Sequence, residues 1–293
     1  MASVLAELVS LLRLEKLEEN LFRGQSQDLG WGNVFGGQVL GQALSAASQT
    51  APADRDVHSL HAYFLRPGDA SKPIVYDVDR IRDGGSFTTR RVVAIQSGEA
   101  IFNMAASFHK HEDGFEHQDA MPDVPPPERV PTEQERFARA AHQVPNELIP
   151  KKLLARFTGA QAFEMRPVET IDHPVQPSAM APRRSVWLKT SEPLPDDPAL
   201  HRFLLAYASD HGFLATALFP HRVTFFGGGM QVASLDHVMW FHAPLRVDQW
   251  LLHEIDSPVA HGSRGLVRGR VFTQDGRLVA STAQEGMIRR RTR

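Results

Sequence analysis

The chemistry in this chain starts with one aspartate. Asp210 stands inside FLLAYASDHGFLATAL, Phe203–Leu218, with no Lys or Arg between Arg202 and Arg222. An ionised carboxylate in apolar surroundings is costly unless something hydrogen-bonds it. The stretch reads as the second half of a buried helix, loosened or ended near Gly212. Asp210 is then either exposed at that break or kept there for chemistry. Ser234 and Gln284 join it, because they stand where an earlier copy of the same pattern carries Val57 and Ala106. Three residues capable of proton transfer or hydrogen bonding, present in one copy only, suggest a mutually bonded set, or else each is a separate, satisfied surface residue. A covalent route has less to work with: the chain has no cysteine, and no G-x-S-x-G elbow occurs. His58, in a strand beside Ser59, is the rival base near neutral pH; its other reading is a structural or substrate-lining histidine. His109-Lys110-His111 and His117 are too irregular for a metal site, and no H-E-x-x-H is present.

The elements that must position these residues come in two similar sets. Glycines 36 and 37 open a run, Val34–Thr50, that carries apolar residues at helical spacing and no charge. Such a helix is buried nearly all round. Strand-like runs follow at Val57–Leu65, Pro73–Arg82, Ser86–Ile95 and Ala100–His109, with turn signals between them. Five prolines then interrupt 110–131, which reads as a linker. Thr132 with Glu135 makes a capping box for a connecting helix. A second connecting helix is expected at 146–157. After strands at Phe163–Val168 and Ser185–Thr190, Asp197-Pro198 starts the helix that carries Asp210. Strands are expected at Gln231–His242, Gln249–Ile255, Gly265–Thr273 and Leu278–Ile288. HAYFLRP (His61–Pro67) lines up with VMWFHAP (Val238–Pro244), and Gln-Ser-Gly at 96–98 with Gln-Asp-Gly at 274–276. Separations of about 177 to 178 residues mean two copies of one domain and not a solenoid. A buried helix wrapped by an antiparallel sheet, present twice, gives an α+β double hot-dog. Its parts are an N-terminal repeat over 1–109, a linker with connecting helices over 110–160, and a C-terminal repeat over 161–293 that carries the chemistry.

Composition limits the partners. Acidic residues number 34 and basic residues 32, for a net charge of -2, so nucleic acid is not an expected partner. No apolar run approaches the roughly 20 residues of a membrane span. The N-terminus reads as an amphipathic helix and not as a signal peptide, and the C-terminal arginines as a solvated tail. A cytoplasmic location is the expectation.

Longer strings then carry a resemblance: LFRGQSQDLGWGNVFGGQVLGQAL, VHSLHAYFLRPGD, YASDHGFL, SLDHVMWFH and STAQEG. The chain resembles the acyl-CoA thioesterase II (TesB-like) family nearly end to end. The family's aspartate in YASD, hydroxyl residue before LDH and glutamine in the last strand correspond to Asp210, Ser234 and Gln284. The resemblance implies hydrolysis of acyl-CoA to fatty acid and CoA by direct attack of a held water, over a broad, medium to long chain range. It implies a homodimer or homotetramer; no cofactor and no metal are expected. The hydroxyl residue, often Thr in bacterial members, is Ser here. Gly36 and Gly37, at a buried helix start, are candidates to face the substrate carbonyl, or else mark a close helix contact. His58 is carried as a substrate-lining candidate. Arg90, Arg91, Arg268 and Arg270 could meet CoA phosphates or be solvated strand residues. Two other readings stay open, an acyl-CoA binding or sensing module without turnover and an acyl-thioester hydratase on the same fold.

Overall fold

The computed structural model describes residues 2–30, 32–141, 158–173, 177–225 and 229–290. The connecting helix expected at 146–157 lies outside them. Helix α1 (Val4–Leu12) is capped by Ser3, whose Oγ accepts from the Ala6 N–H, and it buries Leu5, Leu8 and Leu12. It ends earlier than the sequence suggests. Strands β1 (Glu15–Glu18) and β2 (Leu21–Gly24) follow as a hairpin where the N-terminal amphipathic helix is expected to continue. Every residue of β1 is exposed, so no apolar alternation marks it.

Helix α2 (Gly36–Gln49) is buried at every position from Gly37 to Ala47. The first repeat then runs through β3 (Arg55–Phe64), β4 (Ile74–Asp83), β5 (Phe87–Gln96) and β6 (Glu99–Lys110). After the connecting helix α3 (Glu133–Ala141), the second has β7 (Phe163–Pro167), β8 (Arg183–Thr190), α4 (Pro198–Ser209), β9 (Met230–Ser234), β10 (Asp236–Phe241), β11 (Leu251–His261), β12 (Arg264–Thr273) and β13 (Leu278–Arg290). All the strands belong to one antiparallel sheet, in the order β1-β2-β4-β5-β6-β3-β10-β13-β12-β11-β8-β7, with β9 on β13. The second six strands repeat the first six in reverse about the β3–β10 seam. At that seam His61 pairs with Val238, which is its own repeat-mate. The two copies are therefore related by an approximate two-fold axis, as a double hot-dog requires.

The helices pack inside the curved sheet and run antiparallel to each other. A Cβ on Gly37 would sit 2.2 Å from the Tyr207 carbonyl oxygen, and one on Gly41 3.1 Å from that of Phe203. Residues four apart share a helix face, so these glycines let the α2 backbone lie directly on α4. Ala43, Leu44, Leu204 and Leu205 belong to the apolar core that the sheet encloses.

The proline-rich segment is a packed strap. Trp187 Nε1 donates to the Pro125 carbonyl at 2.9 Å, Gln118 exchanges hydrogen bonds with Gly276 and Leu278, and Asp119 pairs with Arg270. Val130 is buried with Trp187, Leu252 and Phe272. Side-chain anchors at intervals, and not backbone pairing, hold it to the second repeat. The Thr132–Glu135 box forms as expected.

Candidate active site

Asp210 is not inside a continuous helix. Helix α4 ends at Ser209, and Asp210 is its C-cap, with φ -82° and ψ -7°. Gly212 follows in the left-handed region at φ 66°, at the break expected there, and a 3₁₀ segment, Phe213–His221, comes after it. Glycine adopts this φ without steric cost. A side chain there would also meet Arg184, whose Nη1 lies 2.9 Å from the Cβ position. Arg184 Nη1 donates to the Gly212 carbonyl at 3.2 Å. The break holds the carboxylate at the helix end.

The strand expected over Gln231–His242 is also broken, at Leu235, into β9 and β10, which both pair with β13. The sister strand β3 has its irregularity at the matching place, between Val57 and Ser59. Such breaks re-aim side chains near functional sites. Here the break accompanies a hydrogen bond from Ser234 Oγ to Asp210 Oδ1 at 3.3 Å. Gln284, on β13, donates through Nε2 to the same oxygen at 2.7 Å. The first repeat contributes the N-terminus of α2, whose Gly37 N–H faces the Asp210 carboxylate and helps to hold its pKa down. A Cβ on Gly36 would sit 2.6 Å from Asp210 Oδ2. The structure thus brings together Asp210, Ser234, Gln284, Gly36 and Gly37.

Protein surrounds Asp210, while an edge of the carboxylate keeps some access. Burial raises its pKa from 3.8 to about 6, against the lowering effect of the bonds from Gln284, Ser234 and Gly37 and of the nearby His211. The group is therefore mostly ionised at neutral pH, yet basic enough to accept a proton. Gln284 Oε1 is buried and has no hydrogen-bond partner among the described residues.

The other candidates lie elsewhere. His58 Nε2 bonds Ser107 Oγ at 2.8 Å and packs against Phe87 and His109; none of these contacts reaches the Asp210 cluster. The four arginines each have a carboxylate partner: Arg90 with Asp83, Arg91 with Asp79, Arg268 with Asp256, Arg270 with Glu254 and Asp119. The sister site is closed. Thr50 caps α2 as Asp210 caps α4, and Arg90 donates to its Oγ1 at 2.9 Å and its carbonyl at 2.8 Å. Arg90 is 1% exposed.

The sequence comparison passes over His237, although its repeat-mate is the apolar Leu60. His237 is fully buried, and burial lowers its pKa to about 3. Its Nδ1 lies 3.2 Å from Gln284 Nε2 and its Nε2 3.0 Å from Ser209 Oγ. Phe35, next to Gly36, makes edge contacts with Tyr207 at 5.1 Å and His211 at 6.1 Å. Both of these line a cleft of about 450 Å³, walled also by Val4, Leu8, Phe163 and Met165. These aromatics are indistinguishable in sequence from ordinary core residues.

Comparison with known proteins gives this geometry its family. Residues 155–287 match the acyl-CoA thioesterase family model, and residues 26–109 match the model of the acyl-CoA thioesterase N-terminal domain. The chain belongs to the acyl-CoA thioesterase II family. It is 45% identical to acyl-CoA thioesterase 2 of Haemophilus influenzae over 99% of both chains. It is 40% identical to human acyl-coenzyme A thioesterase 8 over 96% of this chain and 88% of that one. The crystal structure of acyl-CoA thioesterase II TesB2 from Mycobacterium marinum superposes with a TM-score of 0.78 at 42% identity, covering 97% of this chain and 99% of that one. The double hot-dog is the architecture of the family, and the chain is an acyl-CoA thioesterase, a thioester hydrolase. This sets aside the sensing module and the hydratase.

Proposed function

We propose that Asp210 is the general base that activates a water held by Ser234 and Gln284, and that this water attacks the thioester carbonyl directly. The reading is carried by the convergence of three polar side chains of one repeat on the N-terminus of a helix from the other. Both side-chain donors bind Oδ1. Oδ2, beside Gly36, is then the oxygen placed to receive the proton. The unpartnered Gln284 Oε1 offers an acceptor for the second water hydrogen. Attack forms a C–O bond and a tetrahedral oxyanion, which faces the positive end of α2. Collapse breaks the C–S bond, releasing fatty acid and CoA thiolate, and the proton on Asp210 returns to the thiolate.

Thiol release by Ser234 and Gln284 variants tests the water-holding roles. Gln284→Ala is expected to lower kcat about 100-fold and Ser234→Ala about tenfold, with KM changed little. Ser234→Thr should retain activity. Full turnover in either alanine variant removes that residue from the mechanism.

The acyl chain is assigned to the cleft behind Phe35, whose volume lies within the range of small-molecule sites and supports medium to long chains. Val4, on α1, forms part of its wall. Val4→Trp is expected to lower kcat/KM for hexadecanoyl-CoA about tenfold and to spare butanoyl-CoA. An unchanged ratio between the two substrates would place the chain elsewhere.

A further inference from the structure

We infer that His237 is a positioning residue that fixes the orientation of the Gln284 amide towards Asp210, an inference that rests on the roles proposed above. Bonds and backbone make a closed ring. Asp210 Oδ1 accepts from Gln284 Nε2 at 2.7 Å, Gln284 Nε2 reaches His237 Nδ1 at 3.2 Å, and His237 Nε2 reaches Ser209 Oγ at 3.0 Å. Ser209 is the chain neighbour of Asp210 and donates its hydroxyl hydrogen to the Ala206 carbonyl at 2.9 Å. Each donor in the ring has one direction. Because the Ser209 hydrogen is used on Ala206, its oxygen accepts from His237, so Nε2 carries the imidazole hydrogen. Nδ1 is then an acceptor and takes the second amide hydrogen of Gln284.

An amide can be turned end for end at little cost when its neighbours do not distinguish O from N. Here both neighbours of the NH₂ end are acceptors, a carboxylate oxygen and Nδ1. The turned amide would bring Oε1 against both. Asp210 alone does not hold this arrangement through a reaction cycle, because it becomes protonated when it accepts the water's proton. The Nδ1 contact persists at that moment. It keeps the amide hydrogens towards Asp210 and leaves Oε1 in place for water. Ser209, His237 and Gln284 are each at most 1% exposed, so solvent offers no substitute partner.

Three variants separate positioning from mere filling of space. In His237→Asn the side-chain oxygen can occupy the Nδ1 position. In His237→Gln a polar atom is kept at the Nε2 position and none at Nδ1. His237→Leu keeps neither. The Gln and Leu variants are expected to lose at least about tenfold in kcat with little change in KM, and Asn should recover most of the loss. The acid limb of the rate profile gives an independent readout. The Gln284 bond lowers the pKa of Asp210, so a loosened amide should move the limb to higher pH in Gln and Leu but not in Asn. The other titratable and charged groups around this cluster, namely His211 beside Asp210, Arg184 at Gly212, Glu133 beside both of these side chains, and His253 near His237, are the same in all three. Thermal melting records any loss of fold, and if Leu does not fold, Asn against Gln decides. Losses that follow melting temperature without a shift of the limb, or equal activity in Asn and Gln, overturn the inference. An active Asp210→Asn enzyme would instead overturn the mechanism on which it rests.

Discussion

Asp210→Asn is expected to lose about 10²- to 10⁴-fold in thioester hydrolysis while the protein becomes more stable at neutral pH. The first effect follows from removing the proton acceptor. In the wild type, kcat/KM should fall as pH drops through about 6, where the carboxylate protonates, and the variant should lack that limb. The second effect follows from linkage. The folded-state pKa of Asp210 lies above its ordinary value of 3.8. Its contribution to stability is therefore fully present below pH 3.8 and is lost as pH rises through about 6. At pH 7 the buried charge costs at most about 3 kcal/mol, less in so far as the carboxylate edge reaches water. Asparagine does not ionise. Melting curves should show the variant a few degrees above the wild type at pH 7 and level with it at pH 4. A variant less stable at pH 7 would mean that the hydrogen bonds to the carboxylate outweigh its burial.

Gly37→Ala is expected to cost about 3 kcal/mol of stability, at the upper end of overpacking effects, and to lower kcat in whatever protein still folds. The atom in the way, 2.2 Å from the new methyl, is the backbone oxygen of Tyr207, and backbone does not rotate aside. Helices α2 and α4 would have to separate. The Gly37 N–H would then leave Asp210, so one substitution strikes packing and chemistry together. Alanine's better helix propensity returns at most about 1 kcal/mol. Gly85→Ala is the control: a Cβ there meets nothing within 4 Å, and denaturant melts should show no change. A Gly37→Ala protein with the stability and rate of wild type would rule out the close helix contact.

What was legible in the sequence follows from where the signal is local. The uncharged run at 34–50 announced a buried helix because burial on all sides leaves no room for charge. The inner strands announced themselves by alternation. Strand β1 gave no such sign because none of its residues is buried. The end of α4 at Ser209 was half visible: Gly212 marked a break, but the Arg184 contact that locks it comes from a strand distant in sequence. The proline segment looked like a free linker because its anchors are isolated side chains, Gln118 and Asp119 among them, whose partners lie far along the chain. Within the site, Asp210, Ser234 and Gln284 stood out against apolar or uncharged positions in the other copy. His237 carries the same one-sidedness, but a histidine in a strand has many ordinary reasons to be there. His58 stood out by residue type alone, and its partners are Ser107, Phe87 and His109. The contact of Gly37 with Asp210 joins residues from different repeats, and no local pattern encodes such a pairing.

The seam between β3 and β10 has a consequence for how the enzyme comes into being. Its paired residues, such as His61 and Val238, are remote in the chain. Contacts of that separation carry a large loop-closure entropy and tend to form late in folding. Asp210, Ser234 and Gln284 can be assembled within the second half alone, but the helix end that meets Asp210 arrives only when the first half docks. Catalytic competence during refolding should therefore lag the appearance of secondary structure and report the docking step itself.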